Sequence, residues 1–121
     1  MFKQALTQII ERTEGSQAAL IMGTDGIAVE KVLLPEGGDA NLDIAAAEIT
    51  SLVRNAQRTG GDTGLGDLRE LVTCFADMCF VARLFTRDYF VVLALRPDGN
   101  LGRARFELRK AELSLAREFA L

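Results

Sequence analysis

Three apolar runs follow one another in the second half of the chain with very little between them. They are LRELVTCF, MCFVARLFT and YFVVLALR, separated only by Ala76-Asp77 and Arg87-Asp88. Connections this short join antiparallel neighbours, so the runs predict a three-stranded antiparallel meander. In the last run, the side chains that alternate with Tyr89 and those that alternate with Phe90 are both apolar. This strand is therefore predicted to be central in a sheet that is covered on both faces, whereas the charges Arg69 and Glu70 mark the first strand as an edge.

The first half of the chain predicts two helices and a hairpin. Apolar residues at helical spacing predict an amphipathic first helix that ends at Gly15. Two apolar runs on either side of Gly26 predict a β-hairpin, since glycine supplies the positive φ that a tight turn requires. A second helix is predicted from Asn41 or Asp43 to about Thr59, and a flexible connector, GGDTGLG, is predicted to follow it.

A final helix completes the predicted order α-β-β-α-β-β-β-α, an α+β fold. Asn100 is placed to cap this helix by accepting a backbone N–H, and Glu107 is expected on its outer face. At 121 residues the chain suits a single domain, residues 1–121. The buried stripe of this helix is predicted to be Leu101, Ala104, Leu108, Ala111, Leu115 and Phe119.

Composition excludes several classes of function. The sequence has no histidine, which rules out Ser/His/Asp and Cys/His catalysis and histidine-based metal sites. The 14 basic and 17 acidic residues give a net charge of −3, which argues against wide contact with nucleic acid or with anionic lipid. The Gly-rich loop at 60–66 follows a helix and lacks a Gly-Lys-Ser/Thr ending, which argues against a phosphate-binding loop. No pair of carboxylates stands out as a candidate for acid–base catalysis. We therefore expect a non-catalytic, cytoplasmic binding module without cofactor, metal or membrane insertion.

The two cysteines, Cys74 and Cys79, lie within the apolar meander. Their spacing fits neither a zinc ribbon nor a redox CxxC motif. Reduced core thiols are the favoured interpretation, as is usual for a cytosolic chain. A disulfide, or an oxidation-sensing pair across the hairpin, is the alternative.

The chain resembles the roadblock family, also called the dynein light chain roadblock type, which includes MglB-like bacterial regulators of Ras-like GTPases. The resemblance covers nearly the whole chain. It rests on Gly15 before AALIM, on Asp25-Gly26, on the Ala-rich second helix and above all on PDGNLG at 97–102. It implies a profilin-like or longin-like α+β domain in which a five-stranded antiparallel sheet carries the first and third helices on one face and the second helix on the other.

The resemblance also implies a function. Roadblock proteins are non-catalytic, and they dimerise by joining the edge strands of the meander and by packing their second helices together. We therefore expect a homodimer that binds and regulates a small Ras-like GTPase. The alternative is a structural adaptor or scaffold subunit of a motor or membrane-associated complex. Because the sequence ends at Leu121, directly after the last predicted helix, we expect binding of the GTPase in preference to acceleration of its hydrolysis.

The second helix and the first strand of the meander supply the expected interface. The inward stripe of the helix is predicted to be Ala45, Ile49, Leu52, Val53 and Ala56, and the remaining face mixes small and polar side chains. A helix face that simply meets water is the alternative for that remaining face. The predicted interface residues are Ala46, Ala47, Thr50 and Arg54 on the helix and Leu68, Glu70, Val72 and Cys74 on the shared strand.

Overall fold

A five-stranded antiparallel sheet organises the computed structural model, which describes residues 2–35 and 41–120. Leu121, on which the expectation about hydrolysis depends, lies outside the described residues. The elements confirm the predicted order: α1 (Phe2–Arg12), β1 (Ser16–Gly23), β2 (Ala28–Leu33), α2 (Asn41–Thr63), β3 (Glu70–Cys74), β4 (Cys79–Leu84), β5 (Tyr89–Leu95) and α3 (Leu101–Phe119).

The strand order β2-β1-β5-β4-β3 places β5 at the centre and β3 at one edge, as the sequence predicts. Every residue of β1 is buried, and in β5 only Tyr89 is partly exposed. The reason is that strands with apolar side chains on both faces are stable only when both faces are covered. The least apolar strands, β2 and β3, take the two edges.

Each face of the sheet has its own core. On one face α1 and α3 cover Ile21, Val91 and Leu93 with side chains such as Leu6 and Leu108. On the other face α2 covers a second cluster, whose buried members are Ala18, Leu20, Met22, Leu42, Ala46, Ile49, Val53, Phe80, Ala82, Leu84, Phe90, Val92 and Ala94. The division of the helices between the two faces is therefore as predicted.

Two glycines allow the start of β1 to cross closely over the turn after β5. Arg96 N donates to Gly15 O at 2.9 Å, and Asn100 N donates to Glu14 O at 3.0 Å. Gly15 has φ +92°, and a Cβ placed on it would lie 2.6 Å from the Gly99 Cα. Asn100 then caps α3 as predicted, because its Oδ1 accepts the Arg103 N–H at 2.9 Å.

Two expectations about the helices are wrong. α2 continues to Thr63 instead of ending near Thr59, because Gly60 is buried against the backbone of Gly66 and the chain turns only at Gly64, with φ +74°. Only the last part of the predicted connector is outside the helix.

Glu107 is not on the outer face of α3. It is 2% exposed, and its carboxylate lies 2.7 Å from Arg103, 3.6 Å from Lys110 and 3.9 Å from Arg12. A buried carboxylate needs such partners to offset its lost hydration. One of the three bases comes from α1, so the periodicity of α3 gave no sign of this pairing.

The close crossing at Gly15 predicts a position-specific loss of stability. Gly26 also has a positive φ, +90°, but nothing lies within 4 Å of a Cβ placed there. Gly26→Ala should lower the free energy of unfolding by about 1–2 kcal/mol through backbone strain alone. Gly15→Ala should cost about 1–3 kcal/mol more, because the new methyl group overlaps Gly99. Urea denaturation of both variants measures the difference, and equal losses would contradict the steric account.

Candidate protein-interaction surface

The free edge of β3 is defined by its hydrogen bonds to β4. Phe75 N donates to Met78 O at 2.8 Å at the turn between the two strands. Bonded and non-bonded pairs alternate along an antiparallel ladder. Counting back from Phe75, the N–H and C=O groups of Glu70, Val72 and Cys74 point away from β4, towards the open side of the sheet. Three of the four residues predicted for the shared strand therefore present their backbone groups at this edge.

Ion pairs hold the first residue of β3 in place. Glu70 Oε2 accepts from Arg105 Nε at 2.9 Å and lies 2.7 Å from Arg105 Nη2, while Arg83 lies 3.8 Å from Oε1. Arg83 in turn donates from Nε to Glu112 at 2.7 Å. The hydrogen bond from Arg105 to Glu70 and the negative charge of Glu70 raise the pKa of Arg105 above its ordinary value. The edge strand is thereby tied to α3 as well as to β4.

Two of the four helix residues predicted for the interface are buried inside the chain. Ala46 and Thr50 face the sheet, and Thr50 Oγ1 donates to Ala46 O at 3.0 Å. The prediction that they face a partner is wrong. The alanine methyl group is small and the threonine hydroxyl is hydrogen-bonded within the helix, so this side of α2 can pack directly against the sheet. Ala47 and Arg54 are exposed, and Arg54 donates to Thr24 O at 3.0 Å, which places it on the flank nearer β1 and β2.

The flank of α2 that looks towards β3 is apolar. Ala45 and Leu71 pack against the same core cluster, and Leu52 is 42% exposed instead of being buried as predicted. Phe75 is 57% exposed and contacts Phe80 edge-on, with ring centroids 6.2 Å apart. A groove of about 540 Å³ opens between this flank and the β3–β4 turn, lined by Asn41, Leu42, Ala45, Phe75, Ala76, Asp77, Met78 and Phe80.

Sequence reasoning missed Leu52 and Phe75 as surface residues. Helical periodicity identifies an apolar stripe, but it does not say whether the strand beneath that stripe lies inside the sheet or at its edge. Leu68, the fourth residue predicted for the shared strand, precedes β3 and is partly buried against the α2-side core. Its side chain therefore anchors the residues just before β3 to the core on the α2 side of the sheet.

The favoured interpretation of the cysteines is also wrong, since Cys74 and Cys79 form a disulfide. They are directly opposite residues of β3 and β4, with Cα atoms 4.0 Å apart. Because Cys74 belongs to the outward set, the two occupy a non-hydrogen-bonded pair, where opposite side chains come closest. The sequence alone did not fix this register.

The second groove on the surface is lined by charges of both signs. A groove of about 920 Å³ at the end of α2 is lined by Arg58, Arg69 and Arg87, but also by Asp67 and Asp88. Across residues 2–35 and 41–120, no group of three or more acidic or cysteine side chains is arranged to hold a metal ion. None of the helices in those ranges has the length and apolar content needed to cross a bilayer.

Comparisons place this arrangement among known structures. No protein-family model matches the sequence, and no curated protein matches it. The crystal structure of MglC from Myxococcus xanthus is 31% identical over 97% of this chain and 98% of that chain, with a TM-score of 0.74. The gliding protein mglB from Thermus thermophilus is 19% identical over 95% and 85% of the two chains, with a TM-score of 0.83. A Roadblock/LC7 domain from Streptomyces avermitilis is 15% identical over 98% and 97%, with a TM-score of 0.84. The last two comparisons bear on the fold alone.

The disulfide predicts the thiol content of the protein. When the protein is purified without reductant, unfolded and alkylated with iodoacetamide, mass spectrometry should find neither Cys74 nor Cys79 modified. After reduction both should be modified, and the free energy of unfolding should fall by about 2 kcal/mol, because the short loop no longer constrains the unfolded chain. Complete alkylation before reduction would show that the thiols are free.

Proposed function

This chain belongs to the roadblock family, and on that premise we propose that it acts as a homodimer that binds and regulates a small Ras-like GTPase. The observation that carries the proposal is the unpaired edge of β3 with an apolar flank of α2 beside it. A backbone edge and an adjoining apolar surface are what a second copy of the chain needs in order to extend the sheet.

The strand contact is self-complementary. Glu70, Val72 and Cys74 each offer one N–H and one C=O group at the edge. A two-fold axis through Val72 pairs that residue with its own copy and pairs Glu70 with the Cys74 of the other chain. All the outward groups of β3 are then hydrogen-bonded, and each bond contributes about 0.5–1.5 kcal/mol net.

The helix contact follows from the same axis. α2 packs mainly over β1, and on its flank towards β3 Leu52 stays exposed beside the partly buried Leu71, which leaves room for a neighbouring helix. The axis brings the two α2 helices together on one face of the joined sheet. Leu52, Ala45 and Phe75 are then covered, which removes exposed apolar surface from water. Ala47 and Arg54 lie on the far flank of α2 and are left accessible.

We assign GTPase binding to the α2 face of this dimer. Ile44, Ser51 and Asn55 are exposed on the outer ridge of the helix, and the charged side chains of Glu48, Arg58 and Asp62 are exposed beside them. Because the sequence has no histidine, the chain supplies no histidine acid–base chemistry. In this proposal it regulates by positioning the catalytic groups of the GTPase. In this proposal the protein is not an enzyme.

Proline at the centre of the shared edge should separate the protomers. Val72→Pro removes an outward N–H without breaking a bond to β4, so the chain should stay folded but run as a monomer in light scattering. Leu33→Pro is the matched control. Leu34 N donates to Gln17 O at 2.9 Å in β1, so the backbone N–H of the preceding residue, Leu33, points away from β1 at the opposite edge of the sheet. That variant should remain a dimer. A dimeric Val72→Pro protein would rule out pairing through β3.

Nucleotide dependence separates a regulator from an adaptor. The probe is a Ras-like GTPase from the same organism, recognised by its GxxxxGK[ST] motif and loaded with GDP or with a non-hydrolysable GTP analogue. Calorimetry with the full chain should give affinities that differ between the two states by at least about fivefold, a coupling of about 1 kcal/mol. Equal affinities would support the structural adaptor instead, and absence of binding would reject the GTPase as the partner.

A further inference from the structure

The outer face of α3 carries a line of basic and apolar side chains that the proposed function does not use. We call it the basic stripe; its members are Arg103, Phe106, Arg109, Lys110, Leu113 and Arg117. Their spacings of three, four and seven residues put them on one side of the helix, opposite the side that buries Ala104, Leu108 and Leu115. Because the inner side is fixed to the sheet, the stripe is held facing solvent.

The apolar members of the stripe are well exposed. Phe106 is 52% and Leu113 is 72% exposed, one helical heptad apart. The guanidinium of Arg103 and the ammonium of Lys110 lie 5.3 Å and 5.6 Å from the centre of the Phe106 ring. Cations that border an exposed aromatic ring in this way leave the ring accessible and keep their own charges at the surface.

The stripe is strongly positive although the chain as a whole is negative. Four of its six members are basic and none is acidic, against a net charge of −3 for the chain. Glu107, at its border, is buried and already surrounded by Arg12, Arg103 and Lys110. Arg109 and Arg117 form no ion pair with any residue in the ranges 2–35 and 41–120. Two cations of the stripe therefore have no counter-charge from the described part of the chain.

We propose that the basic stripe is the contact of this protein with an anionic membrane surface. A helix face of this composition binds at the lipid–water interface, where the cations pair with headgroup phosphates and the apolar side chains enter between the headgroups. The contact is local and peripheral, so it differs from the wide contact that the net charge disfavours.

The proposed homodimer strengthens this contact. α1 and α3 lie on the face of the sheet opposite α2, so two protomers joined through β3 present both stripes on the same side. Two weak contacts on one plane then act together, and the α2 face is left pointing away from the lipid. Only this doubling rests on the proposed function, because each chain carries a complete stripe.

Vesicle sedimentation of the full chain tests the proposal. The probes are vesicles of phosphatidylcholine alone and of equal parts phosphatidylcholine and phosphatidylglycerol. The protein should sediment with the anionic vesicles only, and added salt should weaken the binding. Arg109→Glu with Arg117→Glu should weaken partitioning by at least about tenfold, since each basic side chain near an anionic surface contributes measurably. Phe106→Ser with Leu113→Ser should also weaken it, at unchanged net charge.

The matched control is Arg58→Glu with Arg87→Glu, which makes the same change in net charge outside the basic stripe. Its partitioning should match that of the wild-type protein.

Equal binding to neutral vesicles, no binding to anionic ones, or an equal loss in the control would overturn the proposal. So would α3 variants that lose the GTPase but do not change lipid binding, since the stripe would then dock an acidic protein. A wild-type chain that is monomeric in light scattering but binds anionic vesicles would reject the homodimer and keep the lipid contact.

Discussion

The structure depends on one requirement: β1 and β5 have apolar side chains on both faces and must be covered on both. Water cannot be excluded from both faces by a single helical layer, so the helices are divided, with α1 and α3 on one face and α2 on the other. The more polar strands β2 and β3 are displaced to the edges. The close crossing of Gly15 over Gly99 fixes the start of β1 beside the start of α3.

The same requirement leaves β2 and β3 as the two edges of the sheet, and β3 is the edge that the proposed dimer uses. β3 is held from the inside by β4, by the Cys74–Cys79 disulfide and by the ion pairs of Glu70 with Arg83 and Arg105. Its outward backbone groups have no partner within the described sheet. In the proposed homodimer, an edge that is short, cross-linked to β4 and bordered by apolar side chains loses little conformational entropy when a second copy pairs with it.

Covering the sheet on both faces gives the molecule two distinct outer surfaces. The outer ridge of α2 combines Ile44, Ser51 and Asn55 with charged side chains of both signs, which suits a protein partner in the proposed dimer. The outer face of α3 is basic, with Phe106 and Leu113 exposed, which suits an anionic surface. Since the sheet separates the two faces, the proposed GTPase site on one face and the proposed membrane contact on the other do not compete for space.

The sequence by itself determined the order of the elements, the central position of β5, the edge position of β3 and the Asn100 cap, because each follows from alternation, turn length or a local hydrogen bond. Only the tertiary structure decided the inward rotation of Ala46 and Thr50, the exposure of Leu52, the burial of Glu107 and the pairing of Cys74 with Cys79. These depend on which residue of a distant element lies opposite. Periodicity defines the faces of an element, whereas the register between elements is set by packing across the whole sheet.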